Sequence, residues 1–139
     1  MASEEAAPLK IMVYSDNSTT RAEIKAALGN KVAADLPPVA ITEVATAPMV
    51  VEDARQGDFS LLILDAEAAK LGGMGVGKMV QDEVDPSIPF MLVLGRPQDE
   101  WLARWSGADA SVYFPINPRV LAQTAADVIR RHSSVVATN

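Results

Sequence analysis

Two carboxylates sit where apolar runs end. Asp65 closes the run Leu61-Leu62-Ile63-Leu64, and Asp16 follows the largely apolar stretch from Leu9 to Tyr14 and the hydroxyl of Ser15. Four aliphatic residues in a row read as a strand buried on both faces of a parallel sheet. The acid then falls at the carboxyl end of that strand, where open α/β sheets place their ligands. A lone carboxylate there is a phosphoryl acceptor, a metal ligand, or the relic of one. A second pattern, Gly72-Gly73-Met74-Gly75-Val76-Gly77-Lys78, fits G-x-x-x-x-G-K. Met79 stands where a P-loop needs the Ser or Thr that holds Mg²⁺, and the glycines start several residues after the strand. It reads as a connecting loop beside the acidic site, with nucleotide binding the remote alternative.

Composition removes other chemistries. The chain has no Cys, hence no disulfide, thiolate metal site or redox role, and its single His132 excludes multi-histidine metal sites. The net charge of -6 argues against a nucleic-acid partner and against attraction to anionic lipid. No run of roughly 18 apolar residues offers a membrane span, and the acidic start Met1-Ala2-Ser3-Glu4-Glu5 is unlike a secretory signal. A cytoplasmic location is expected, with any membrane association arising through a partner.

The elements that must hold the two acids alternate regularly. Residues 1–8 read as a disordered tail, 9–132 as one domain, and 133–139 as a frayed C-terminal tail. Strands are expected over 9–14, 39–45, 61–64, 89–94 and 110–114. Helices are expected after Asp16-Asn17-Ser18, after Thr46-Ala47-Pro48, over 78–83, over 99–106, and from Asn117-Pro118, an N-cap followed by Pro at the first helical position. Five strands alternating with five helices imply a parallel sheet covered on both faces. His132, in Arg130-Arg131-His132, is placed at the end of the last helix, balancing its dipole.

With these landmarks in order, the chain resembles the receiver domain of bacterial two-component response regulators nearly end to end. The resemblance is carried by Ser15-Asp16-Asn17 after the first strand, Leu64-Asp65 ending the third, and Val93-Leu94 in the fourth. Gly107-Ala108-Asp109 before the fifth strand and Phe114-Pro115 at the family's Lys-Pro, a bond often cis there, complete it. It implies a doubly wound, flavodoxin-like sheet of order 2-1-3-4-5. It also implies a chemistry in which two acids and the acceptor Asp bind Mg²⁺, and a Lys offsets the charge of the incoming phosphoryl group. A Thr or Ser ending the fourth strand then bonds the phosphate while an aromatic residue on the fifth repacks.

Against that pattern the chain keeps Asp65 as the acceptor and Asp16 as one of the paired acids. The other acid is Ser15, the switch hydroxyl is Gly95, the switch aromatic is Ser111 with Tyr113 nearby, and the Lys is Phe114. The loop after Asp65 is about two residues longer than usual. Asp16 and Asp65 are expected to lie close together, one raising the pKa of the other, so that they bind Mg²⁺ weakly with the Glu67 carbonyl or bond only loop amides and Ser15. Arg96 is the candidate replacement countercharge, paired to Asp16 or Asp65, with a merely exposed Arg as the plainer outcome. Trp101 and Trp105, one helical turn apart, form with Tyr113 a candidate partner surface, Trp101 looking partly inward and Trp105 outward.

The resemblance therefore implies a stand-alone pseudo-receiver, without catalysis of its own or a resident cofactor, that acts by protein–protein contact. The alternative is a phosphorelay receiver in which Asp65 takes a phosphoryl group from a sensor kinase. The Ala-, Val- and Asp-rich composition resembles actinobacterial, mycobacterial-type orphan regulators. Regulators of that look are associated with respiratory NADH dehydrogenase, which implies an accessory subunit peripheral to the inner membrane.

Overall fold

Leu61–Asp65 forms the central strand of the sheet, and every one of its residues is buried. In the computed structural model, residues 7–68 and 72–138 are described, the last six of these by backbone alone. The strands are β1 (Leu9–Tyr14), β2 (Val39–Val44), β3 (Leu61–Asp65), β4 (Phe90–Leu94) and β5 (Ala110–Tyr113). All pair in parallel, in the order β2-β1-β3-β4-β5. The helices are α1 (Ser18–Leu28), α2 (Ala47–Gln56), α3 (Gly73–Glu83), α4 (Glu100–Trp105) and α5 (Pro118–Thr138), with a 3-10 turn at Pro97–Asp99 before α4. This is the expected doubly wound α/β architecture.

The period of two along each strand divides the core between two faces. Met12, Tyr14, Leu62, Leu64, Phe90, Leu92 and Leu94 pack with residues of α2, α3 and α4. Ile11, Val13, Leu61, Ile63, Met91 and Val93 pack with residues of α1 and α5. Each fully buried Leu or Ile contributes about 1.5–3 kcal/mol relative to exposure, so the two apolar runs dominate the fold. Local signals fix the ends. The Asn17 side chain caps α1 by accepting from the N–H groups of Thr19 (2.8 Å) and Thr20 (3.2 Å). Asp109 ties the start of β4 to the loop before β5: its carboxylate accepts from the Phe90 N–H (3.0 Å), while its own N–H donates to the Phe90 carbonyl (2.8 Å).

Three expectations are corrected. The glycine-rich stretch is helix rather than loop: α3 starts at Gly73, and both Gly73 and Gly77 are buried against the sheet. A Cβ on Gly73 would lie 2.8 Å from the Leu64 Cβ, and one on Gly77 would lie 2.4 Å from the Phe90 ring. Gly73 and Gly77 therefore serve close helix–sheet approach, and Lys78 lies within the helix with its ammonium over the Trp105 ring (5.7 Å), so the described residues of this stretch form a helix and not a phosphate cradle. The fourth helix, expected over 99–106, is present as α4, with the 3-10 turn before it. The backbone of α5 continues to Thr138, beyond the expected frayed start at Ser133, because no Gly or Pro interrupts it. His132 consequently lies within α5, where its ring meets Asp109 (3.2 Å) instead of balancing a helix end. The N-terminal tail expected over 1–8 falls mostly outside the described residues, as do residues 69–71 of the lengthened loop.

Candidate functional site

β1 and β3 lie side by side, which brings Ser15, Asp16 and Asp65 together at the carboxyl edge of the sheet. Asp65 is 4 % exposed. Its two oxygens are each held by one donor. The Ser15 hydroxyl donates to Oδ2 (2.8 Å), and the Glu67 N–H donates to Oδ1 (2.8 Å). Ser15 is fully buried, and its hydroxyl oxygen accepts from the Asn17 N–H (3.0 Å). Arg21 fixes the backbone here by donating from Nη1 to the Ser15 carbonyl (2.7 Å) while its Nε pairs with Glu43. Where the resemblance implied a second acid, this chain thus has a hydroxyl that solvates Asp65 from within.

Burial raises the Asp65 pKa above the ordinary carboxylate value. The Ser15 and Glu67 hydrogen bonds oppose that shift, and the charges of Asp16 and Glu67 add to it. The expected influence of Asp16 is present, but desolvation is the leading cause. The sign for stability follows. Because the folded state holds this proton more tightly than the unfolded chain, stability falls as pH rises from the unfolded pKa through the folded one. Ser15→Ala is expected to deepen that loss. It removes a hydrogen bond to a buried charge, worth about 1.5–3 kcal/mol at neutral pH. The cost shrinks toward pH 3, where Asp65 is protonated in both states. Urea midpoints of wild type and variant at the two pH values measure it, and an equal cost at both would show that Asp65 does not carry the effect.

The remaining positions divide. Phe114 donates its N–H to the Leu94 carbonyl (2.9 Å) and packs against the core on the α1/α5 side, so the sequence position of the family's cation carries an apolar residue. The Phe114-Pro115 bond is cis. Ser111 lies in β5 opposite Leu92. Arg96 is not the countercharge: it bonds Asp99 through Nε (3.2 Å) and Nη2 (3.3 Å), three residues along the same 3-10 turn. Local closure holds it away from Asp65. Gly95 does meet the site, by donating its N–H to Glu67 Oε2 (3.2 Å).

Two contributors escaped the sequence reading. One is the reach of the Glu67 side chain to the Gly95 N–H; Glu67 is expected in the acidic pocket, with its carbonyl as the candidate ligand. The other is Tyr14, which ends β1, is 2 % exposed, and has its phenol pKa raised by burial and by the charges of Asp16 and Asp65. With Asp16, Thr46, Val51, Arg55 and Met79 it lines a cavity of about 870 Å³ beside α2. An aromatic residue directly before Ser15-Asp16 was the available signal.

The donor set does not fit a resident Mg²⁺. Both Asp65 oxygens already accept hydrogen bonds, Ser15 supplies a neutral hydroxyl in place of a carboxylate, and Asp16 is exposed. No group of three or more His, Cys, Asp or Glu able to hold a metal occurs among the described residues. Magnesium prefers several rigidly placed oxygen donors, including anionic ones.

The surface candidates are clear. Trp101 is 66 % exposed and Trp105 is 70 % exposed. The expectation that Trp101 looks partly inward is corrected, because Ala103 is the residue of α4 that enters the core. Tyr113 is half-buried, and its hydroxyl donates to Glu100 Oε1 (2.8 Å), which braces α4 against β5 and raises the phenol pKa.

An acid ending the third strand of a 2-1-3-4-5 sheet, beside a second acid after the first, defines a CheY-like receiver. Solved structures agree. The receiver domain protein of Methanospirillum hungatei superposes with a TM-score of 0.77 at 18% identity, covering 92% of this chain and 98% of that one. The receiver domain of a Pseudomonas aeruginosa sensor histidine kinase, which holds a magnesium ion in its active-site cleft, gives a TM-score of 0.74 at 17% identity, covering 88% and 98%. No protein-family model matches the chain. At the level of sequence, an uncharacterized response regulatory protein of Mycobacterium tuberculosis is 45% identical over 122 residues, which span 88% of this chain and 92% of the relative. The chain belongs to the response regulator receiver family.

Proposed function

We propose that this chain is a pseudo-receiver: a binding module whose partner contacts do not depend on phosphorylation of Asp65, and which performs no turnover of its own. The observation that carries the reading is the pair Trp101 and Trp105, both exposed on a helix whose inward contact is supplied by Ala103. Trp is enriched at interface hot spots, and two side by side give a ready anchor. The acidic site supports the same reading. Its Lys position is an apolar ring, its switch position lacks a hydroxyl, and its acceptor is held by Ser15 and Glu67.

The partner we propose is a subunit of respiratory NADH dehydrogenase, following the resemblance to actinobacterial orphan regulators. Among the described residues no helix is long and apolar enough to cross a membrane, so attachment at its cytoplasmic face would be through that partner. A second reading is favoured by the retention of Asp65 and Asp16. In it, Asp65 accepts a phosphoryl group from a sensor kinase.

Affinity capture from the native host separates the two, with wild type and Asp65→Asn as baits and mass spectrometry as the readout. Equal recovery of dehydrogenase subunits on both baits is the expected result. Recovery that collapses with Asp65→Asn, or a kinase captured in place of the dehydrogenase, would instead establish the phosphorelay reading.

A further inference from the structure

Gly95 was read as a switch position that had lost its hydroxyl. The geometry gives it another meaning. β3 and β4 run in parallel with Asp65 opposite Val93, and the Ala66 N–H donates to the Val93 carbonyl (3.0 Å). Beyond Asp65 the chain turns, with the Ala68 N–H donating to the Asp65 carbonyl (3.3 Å), and the turn leaves the Glu67 side chain beside Gly95 at the end of β4. The Glu67 backbone is held at the acceptor by its N–H bond to Asp65 Oδ1 (2.8 Å), and its carboxylate reaches across to accept from the Gly95 N–H (3.2 Å). A Cβ on residue 95 would lie 2.8 Å from the Glu67 Cδ and 3.1 Å from its Oε1. A Ser or Thr there would push the carboxylate away. Glycine at 95 thus leaves room for the Glu67 carboxylate in this position.

We propose that Glu67 is a built-in anion of the acceptor site. Its carboxylate occupies the amide at the end of β4 and holds the turn Gly95-Arg96-Pro97, which leads into α4 and its tryptophans, in one fixed arrangement. Charge favours this assignment. An N–H bonded to a carboxylate is stronger than one bonded to a neutral oxygen. A phosphoryl anion arriving at Asp65 would meet the like charges of both Glu67 and Asp16. The chain therefore carries internally the anion that other receivers would acquire, and its α4 face is set without a signal. Glu67 is a positioning residue that acts through Gly95. The functional meaning of the fixed face rests on the pseudo-receiver reading, whereas the contact itself does not.

The test uses the free full-length protein, labelled with ¹⁵N, as wild type, Glu67→Gln and Glu67→Ala. Glu67→Gln keeps an acceptor oxygen of the same reach, whereas Glu67→Ala removes it. Both substitutions are at an exposed residue, and far-UV circular dichroism checks the fold. The expected result is that the Gly95 amide resonance shifts in Glu67→Ala and exchanges with solvent about tenfold faster, the range of one hydrogen bond, while Glu67→Gln, which keeps the reach but loses the charge, falls between Glu67→Ala and wild type. The amides of Arg96 and of residues 98–105 should shift with it, together with tryptophan emission, which reports α4 alone because both tryptophans lie there. Trifluoroberyllate with Mg²⁺, a small phosphoryl mimic, should leave the wild-type Gly95 resonance in place at millimolar concentration. A Gly95 amide indifferent to Glu67→Ala would overturn the proposal, and so would a wild-type Gly95 resonance displaced by trifluoroberyllate. Because the amide measurement contains no partner, its failure is separable from a failure of the capture experiment.

Discussion

Gly77→Val is expected to destabilise the protein by about 3 kcal/mol or more, the upper range of overpacking a tight core. Position 77 is buried where α3 meets β4. Its missing Cβ would fall 2.4, 2.6 and 2.7 Å from three atoms of the Phe90 ring. That ring is fully buried, so it has no solvent into which to turn. Even Gly77→Ala should lose stability. Helix propensity alone would favour alanine by about 0.8–1.0 kcal/mol, so a loss shows that packing wins. Gly75 provides the contrast, because it lies in the same helix but is exposed. Gly75→Ala should gain roughly the propensity difference. Urea denaturation of the three variants measures the signs directly. A gain for Gly77→Ala equal to that for Gly75→Ala would mean that α3 does not sit against Phe90 as described.

The same helix shows where the sequence stops being legible. The apolar runs of β3 and β4 identified the central strands because burial on both faces leaves a continuous aliphatic signature. Asn17 and Asn117-Pro118 marked helix starts because capping is a local interaction. Asp65 at the end of β3 followed from strand polarity. Four glycines in six residues, however, read as loop under any local rule. They become helix only because Gly73 and Gly77, one turn apart, let α3 settle on Leu64 and Phe90. That spacing was visible, but its meaning depends on side chains distant in sequence. Glu67 and Gly95 are a similar case: their partnership exists only once the β3–β4 register is known. Arg96 is the opposite case. Of the two outcomes left open for it, pairing with Asp16 or Asp65 and a merely exposed Arg, the structure shows the second, an exposed side chain closed onto the carboxylate three residues along the 3-10 turn.

Replacing Trp101 and Trp105 together by alanine is expected to abolish partner capture while leaving the free protein folded. Each side chain is about two-thirds exposed, so neither is a main support of the core, and exposed substitutions usually change stability by no more than about 0.5 kcal/mol. What holds α4 in place is elsewhere: Ala103 in the core, the Ser106 hydroxyl donating to the Ala103 carbonyl (2.6 Å), and the Tyr113–Glu100 hydrogen bond (2.8 Å). Trp105 does carry the Lys78 ammonium, an exposed cation–π contact worth roughly 0.5–1 kcal/mol, so the single Trp105 variant should lose slightly more stability than the Trp101 one. Binding should respond far more strongly. A hot-spot tryptophan costs about 2 kcal/mol or more on truncation, which is roughly thirtyfold in affinity for each residue. Met49 and Val120 are also exposed, but they lie on α2 and α5. Met49→Ala and Val120→Ala therefore test whether any exposed apolar residue matters or only the α4 face. Calorimetric titration with the captured partner, beside urea denaturation of each variant, gives both quantities. If the tryptophan variants bind as wild type does while the α2 or α5 variants fail, the partner sits on another face and α4 is not the interface.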